Sequence, residues 1–123
     1  MYVVLCSIHM VNGDFGDHVS ERGYDLIVDY TFFCAIAPCR RSWWAETMAR
    51  LISRENANAR LVTLMFPIEP EWDENMGPPF PVNLDRYQAV LDPYFELESF
   101  EENTPAIGPR EGKEAIGFWK LRA

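Results

Sequence analysis

Basic residues are scarce in this sequence. Eleven Lys and Arg stand against 19 Asp and Glu, a formal charge of −8 over 123 residues. Nucleic acid and anionic membrane surfaces demand clustered cations, so neither is an expected partner, whereas a neutral or cationic small molecule is compatible. Cysteine is scarce too. Cys6, Cys34 and Cys39 are odd in number and irregularly spaced, which does not make a disulfide framework. Reduced thiols in a cytoplasmic protein are the expected state. No apolar run approaches the roughly 20 residues that span a bilayer. The start MYVVLCSIHM lacks a basic n-region and a small-residue cleavage site, so no signal peptide is expected. The seven glycines never fall into GxGxxG or GxxxxGK[ST], which excludes a phosphate-cradling loop. His9, His18, Cys34 and Cys39 lack ligand spacing, so no metal is expected, and no nucleophile motif surrounds Cys34 or Ser42.

What is present is globular. Apolar residues make up 48% and charged residues 24%, and the length suits a single domain over residues 1–123. The run Tyr2–Val11 is β-branched and reads as a strand, followed by turn chemistry in Asn12–Asp17. Asp25–Val28 is short and almost continuously apolar, the pattern of a strand buried on both faces. In Arg41–Arg54, Trp44, Met48, Leu51 and Ile52 recur at helical spacing. Leu61–Phe66 is a second buried-strand candidate, closed by Pro67. Strand, helix and strand in that order predict a parallel pair joined by a right-handed crossover. The segment that follows, Ile68–Val82, is a long proline-rich loop, and long ordered loops are frequently functional. Leu84–Leu91 reads as a short helix with Asn83 as N-cap and Asp85 in its first turn. Phe95–Phe100 and Ala115–Leu121 read as strands joined by a Pro/Gly-rich loop and paired antiparallel at one sheet edge.

Three constellations carry chemistry. Ligands of open parallel sheets bind beyond the carboxyl ends of the strands. Asp29 stands at such an end, with Tyr30, Phe32 and Phe33 after it. Two readings stay open: an acid facing a ligand crevice walled by aromatics, or an acid that caps the next turn while the aromatics fill the core. Asp14–Phe15, expected at the end of the preceding strand, sets an acceptor beside an aromatic; this suits an amine-bearing ring such as adenine, or is simply a turn. Arg40 and Arg41 open the first helix against its dipole. They are either a solvated pair or the mark of an anionic or carboxylate partner.

Longer strings carry a resemblance. DLIVDYTFFCAIAPCRRSWWAETM followed by LVTLMFP, then GPPFPVNLDRYQAVLDPYF, then EENTPAIGPREGKEAIGFWKLR with its R-x-G-K-E run, resemble in colinear order the thiopurine methyltransferase family, and within it the halide/thiol methyltransferase branch. The resemblance runs from about Val11 to Arg122. It implies a Rossmann-like α/β sheet, seven-stranded and doubly wound in the family, with an antiparallel C-terminal strand pair. It further implies transfer of the methyl group of S-adenosyl-L-methionine to a soft nucleophile such as a thiol, bisulfide or halide. By the same resemblance Asp14 and Phe15 match the pair at the cofactor's adenine, and Asp29 and Tyr30 positions beside its methionine portion and methyl. Arg41 matches an arginine on the acceptor side, and Pro78, Pro79 and Phe80 the loop over the acceptor pocket. No residue is singled out as the catalyst.

The sequence also departs from that pattern. The family's first strand, glycine-rich loop, second strand and N-terminal helix have no counterpart here, Met1–Ser7 matches nothing in it, and Glu55–Ala59 stands in place of a PGG turn. The expectation is therefore an incomplete, N-terminally truncated methyltransferase domain. The alternative is a non-catalytic remnant that serves as a binding or interaction subunit. Asp25–Val28 should then be an exposed edge, open to self-association unless Tyr2–Cys6 pairs with it or joins the strand running into Asp14.

Overall fold

A computed structural model describes residues 10–102 and 108–123. Four strands form one sheet in the order β1-β2-β4-β3, with β1 at Leu26–Tyr30, β2 at Arg60–Met65, β3 at Phe95–Glu102 and β4 at Ala115–Leu121. β1 and β2 run parallel, Val28 opposite Val62 and Tyr30 opposite Leu64. β4 lies antiparallel to β2 and to β3, and a bulge at Leu97–Ser99 interrupts the second pairing. The two helices are α1 (Arg41–Leu51), the crossover between β1 and β2, and α2 (Leu84–Leu91). The mixed α/β sheet, its parallel pair and its terminal antiparallel pair are those read from the sequence.

The core lies between one face of the sheet and the two helices. α1 contributes Trp44, Met48 and Leu51, with Ala45 and Ala49 letting its backbone approach closely. α2 is held at its start by Asn83, whose side chain accepts from the Arg86 N–H at 2.9 Å, and buries Tyr87 and Leu91. From the sheet come alternate residues: Leu61, Thr63 and Met65 of β2, and Ala115, Gly117 and Trp119 of β4. The Trp119 indole N–H donates to Thr63 Oγ1 at 3.0 Å, which satisfies two buried polar groups at once. A Cβ on Gly117 would lie 2.8 Å from Met65 Cε and 2.9 Å from Trp119 Nε1, so any side chain there would force buried neighbours to shift.

Several expectations shift. β1 starts and ends later than Asp25–Val28, so Asp29 and Tyr30 belong to the strand and do not follow it. Nor is it buried on both faces. Leu26 and Val28 are more than half exposed, because both helices cover the opposite face and β2 is the strand's one neighbour among the described residues. α1 stops at Leu51, short of Arg54. Ile52 turns extended, and a one-bridge continuation of the parallel ladder begins, with Tyr24 N–H donating to Leu51 O (2.8 Å) and Ser53 N–H to Tyr24 O (2.9 Å). Gly23 sits beside this bridge at φ 74°, where a Cβ would meet Ser53 Cα at 2.7 Å. β2 takes in Arg60 and releases Phe66, and β3 runs on to Glu102. Tyr2–Cys6, and with it most of the expected strand Tyr2–Val11, lies outside the described residues. Met10 and Val11 carry no regular structure, and Asp14 caps a single 3-10 turn at Phe15–Asp17 where a strand end was expected.

Candidate functional site

The loops that leave β1 and β2 and the segment that enters β4 meet at the carboxyl end of the parallel pair. β1 leaves its ladder through Thr31, which adopts φ 65°. That left-handed backbone is unfavourable for a β-branched residue, and strain of this kind concentrates at functional sites. Thr31 Oγ1 donates to Tyr30 O at 2.6 Å, which fixes the turn. Tyr30 thereby projects one way, while Phe32 is partly exposed and Phe33 and Cys34 are buried.

Tyr30 is the centre of a polar cluster. Its hydroxyl donates to Glu114 Oε1 at 3.1 Å, and Arg110 Nη1 lies 3.5 Å from the same oxygen. The Arg110 guanidinium also stands 4.3 Å from the centre of the Phe66 ring and 5.4 Å from that of Tyr30. The guanidinium, about half exposed, lies over two aromatic faces at the strand ends, with its charge partly balanced by the largely buried Glu114 carboxylate. The adjoining Lys113 pairs with Glu69 at 2.6 Å, and its carbonyl accepts from Ile68 N–H at 2.9 Å, which fastens the proline-rich loop to the same segment. Neither Arg110 nor Glu114 was assigned a role from the sequence. Their signal was the R-x-G-K-E run, with arginine and glutamate four residues apart and a strand beginning directly afterwards.

Asp14 and Phe15 form a second cluster on the other flank of the turn. Asp14 Oδ1 accepts from Gly16 N–H at 2.8 Å, and the carboxylate is otherwise exposed. The Phe15 ring packs against Phe32 at 5.1 Å and edge-on to Trp43 at 5.6 Å. Gly16 presses on the Trp43 ring so closely that a Cβ would come within 2.7 Å of it. Arg50 of α1 donates to the Gly16 carbonyl at 2.9 Å and also to that of His18. An irregular segment is thus clamped to the first helix. The groove along Val11–Val19 has a volume of about 640 Å³, within the range of small-ligand sites.

Asp29 does not face this crevice. It is 3% exposed; Oδ1 accepts from Phe33 N–H (3.3 Å) and Oδ2 from the Trp44 indole N–H (2.8 Å). The carboxylate closes the turn after β1 and joins it to α1, which is the capping geometry. Burial pushes its pKa up, and the N–H donors of Phe33, Trp44 and Phe32 only partly oppose that.

Arg41, the first residue of α1, is buried with its guanidinium 4.5 Å from the Phe33 ring centre, and its Nε and Nη2 have no hydrogen-bond partner. Among the described residues it shares no hydrogen bond or ring contact with Tyr30, Arg110 or Glu114. Pro78 and Pro79 are exposed, the bonds preceding each being cis, while Phe80 is partly buried and its N–H donates to Cys34 O at 2.8 Å. The structure thus brings Phe80 to the turn after β1 but leaves the two prolines on the outside of the loop. Cys34 is buried and Cys39 exposed, both as free thiols. Burial, aided by the Asp29 charge, pushes the Cys34 thiol up, so it is no activated nucleophile.

Comparison with known proteins settles the ancestry of this arrangement. The thiopurine S-methyltransferase family matches over residues 3–122, nearly the whole chain. The chain belongs to that family. It is 45% identical over 108 residues to a protein of Arabidopsis thaliana named "Probable thiol methyltransferase 2", covering 87% of this chain and 45% of that protein. It is 44% identical over 111 residues to thiocyanate methyltransferase 1 of Brassica oleracea, covering 89% of this chain and 46% of the relative. The chain therefore spans about half the length of the curated relatives it matches. Among solved structures, it is similar to a TehB-like SAM-dependent methyltransferase of Corynebacterium glutamicum (TM-score 0.60, 19% identity, 91% of this chain and 55% of that one). It is similar likewise to the N-methyltransferase NodS of Bradyrhizobium japonicum (TM-score 0.62, 10% identity, 90% and 58%). At such identities the likeness establishes the fold, a methyltransferase-type α/β sheet.

Proposed function

We propose that this chain supplies the acceptor side, and the adenine end of the cofactor side, of a site for S-adenosyl-L-methionine-dependent methyl transfer to a thiol or similarly small, soft nucleophile. One observation carries the reading: within this family's sheet, the Tyr30–Glu114–Arg110 cluster sets a guanidinium and two aromatic faces at the carboxyl end of the parallel strands. The relatives named for thiol and thiocyanate methylation support an acceptor of that class.

The cofactor's base end fits the residues present. Asp14 has one carboxylate oxygen engaged and the other available to accept from an exocyclic amine, beside the half-buried ring of Phe15. No glycine-rich loop of the sequence offers itself to the ribose and amino-acid ends. When bound, the cofactor supplies an electrophilic methyl group on a sulfonium. The chain's own residues would do the rest. Arg110 attracts an anionic acceptor and favours its deprotonated form. A thiolate is already a strong nucleophile, so alignment and exclusion of water are the main demands. Tyr30 and Phe66 would furnish that water-poor wall. Asp29 would act at one remove, holding the turn that aims Tyr30, and Phe80 would bring the loop with Pro78 and Pro79 over the acceptor. A cytoplasmic setting suits the free thiols of Cys34 and Cys39.

Calorimetric titration of the whole chain with S-adenosyl-L-methionine tests this. Binding near micromolar affinity, weakened at least tenfold by Asp14→Ala without a change in melting temperature, is the expected result. No heat and no melting shift at millimolar cofactor would overturn it for this chain. That outcome would favour the second reading, an interaction subunit, for which the exposed Leu26 and Val28 speak, on a strand with one neighbour among the described residues.

A further inference from the structure

The turn that leads into Asp14 carries a chemistry that methyl transfer does not use. Of the asparagines in the sequence, Asn12 alone precedes a glycine. In such a pair the glycine nitrogen can attack the asparagine side-chain amide and close a five-membered ring. Glycine, with no Cβ, lets the two atoms approach, whereas a side chain at that position hinders them. Asn56 and Asn58 precede alanine, Asn75 precedes methionine and Asn83 leucine. Asn83 is also engaged as the cap of α2, and Asn56 donates to Asp25 while accepting from Asn58 N–H.

The structure leaves the reacting atoms at Asn12 free. Asn12 and Gly13 are exposed and lie outside regular structure. Neither the Asn12 side chain nor the Gly13 N–H has a hydrogen-bond partner among the described residues. A Cβ built on Gly13 would meet nothing within 4 Å, so no neighbour shields the nitrogen from solvent. The Arg50 clamp takes hold only from Gly16 onward. Among the described residues, no bond opposes the rotation that brings Asn12 Cγ over the Gly13 nitrogen. Both residues line the groove that also holds Asp14 and Phe15.

We propose that Asn12–Gly13 is a self-modifying site, at which spontaneous succinimide formation ages the groove along Val11–Val19. A solvent base takes the Gly13 N–H proton, and the nitrogen forms a bond to Asn12 Cγ. The bond from Cγ to Nδ2 breaks, and Nδ2 leaves as ammonia with a proton from water. A second water opens the ring. Cleavage at Cγ restores the ordinary peptide and leaves an aspartate at position 12. Cleavage at the main-chain carbonyl leaves an isoaspartate, with the chain running through Cγ. Nothing is oxidised or reduced, and water is the only co-reactant. Either product adds a carboxylate where the groove already holds Asp14 and Asp17. The isoaspartate also lengthens the main chain by one carbon, two residues before Asp14. The chemistry is independent of the methyl-transfer reading, while its effect on cofactor binding rests on that reading.

The test holds the full chain, without cofactor, in mildly alkaline buffer beside the free peptide of residues 10–15. Peptide mapping by mass spectrometry reads the conversion of each asparagine and tells isoaspartate from aspartate by its fragments. Asn12 should convert within about threefold of the free peptide's rate, as in a segment with almost no local protection. Asn56, Asn58, Asn75 and Asn83 should stay intact over that interval. Asn12→Gln, whose ring would be six-membered, should keep its amide. Asn12 intact when the peptide is spent would overturn the proposal, and so would an equal rate of amide loss in Asn12→Gln. The isoaspartate form, isolated by ion exchange, should bind S-adenosyl-L-methionine at least tenfold more weakly than the fresh chain. Freshly prepared Asn12→Asp adds the charge without the extra carbon and should bind within about threefold of it. Equal affinity of the isoaspartate form would refute the effect on the groove. A fresh chain that binds no cofactor would overturn the methyl-transfer reading and that effect together, and the mapped rates decide the site on their own.

Discussion

The Trp44 indole N–H donates to the Asp29 carboxylate across 2.8 Å, with both side chains buried. This bond joins the end of β1 to the first turn of α1, beside Tyr30, the strand's last residue. Trp44→Phe keeps much of the ring and removes the donor. The expected loss is about 1–3 kcal/mol plus a smaller packing term, seen as a lower urea midpoint at unchanged slope. A midpoint equal to wild type would show that the bond is not stabilising.

Asp29 also predicts a pH dependence. Burial holds its carboxyl above the ordinary 3.8. For a raised folded-state value, the stability contributed is fully present below 3.8 and is lost as pH rises through the folded value. Asparagine at this position does not titrate. The stability of wild type minus that of Asp29→Asn should therefore be greatest in acid and decline toward neutral pH. Urea titrations of the two proteins at several pH values decide the matter, and a difference that stays flat or grows with pH contradicts the assignment.

Gly16→Ala should separate binding from stability. The added Cβ would meet the Trp43 ring at 2.7 Å, so the Asp14–Asp17 turn must lift away from α1. Affinity for S-adenosyl-L-methionine is expected to fall at least tenfold, while the melting temperature changes by only a few degrees because the segment lies outside the main core. Equal affinity in the two proteins would show that this turn does not touch the cofactor.

Arg110→Met should weaken binding of a thiolate acceptor about tenfold at low salt. The deficit should shrink at high salt, where the wild-type attraction is screened. Tyr30→Phe retains the ring beneath the guanidinium and loses one hydrogen bond, so its stability should fall by about 1 kcal/mol at most. Acceptor titrations at two salt concentrations provide the test, and a salt-independent deficit in Arg110→Met would point to shape in place of charge.

Much of the fold was legible in local pattern. The apolar run Leu61–Phe66, the Asn83 cap and the helical spacing of Trp44, Met48 and Leu51 each depend on neighbours a few residues away, whereas the alternate burial of Leu61, Thr63 and Met65 within that run does not. What resisted reading depends on distance. Whether Leu26 and Val28 are covered is decided by which elements pack on the far side of the sheet, and the apolar run is the same in either case. Asp29 has identical spacing as a crevice acid and as a cap; the donor that chooses between them, Trp44, lies 15 residues on. Tyr30 and Glu114 are 84 residues apart, and no local rule joins them. From spacing Arg41 was legible as an arginine against a helix dipole, and the resemblance placed it on the acceptor side; its burial and its unpartnered Nε and Nη2 exist only in three dimensions.

The sheet face that no helix covers among the described residues has a practical consequence at the bench. Leu26 and Val28 are exposed beside Val62 and Leu64, which β4 continues with Ile116 and Phe118. Such a surface should take up a dye like ANS in the fully native state and so imitate the fluorescence of a molten globule. Brightness alone would then mislead anyone screening variants of this chain for partial unfolding. The near-ultraviolet circular dichroism of Trp44 and Trp119, both enclosed on the opposite face, is the signal that would vanish when packing is truly lost.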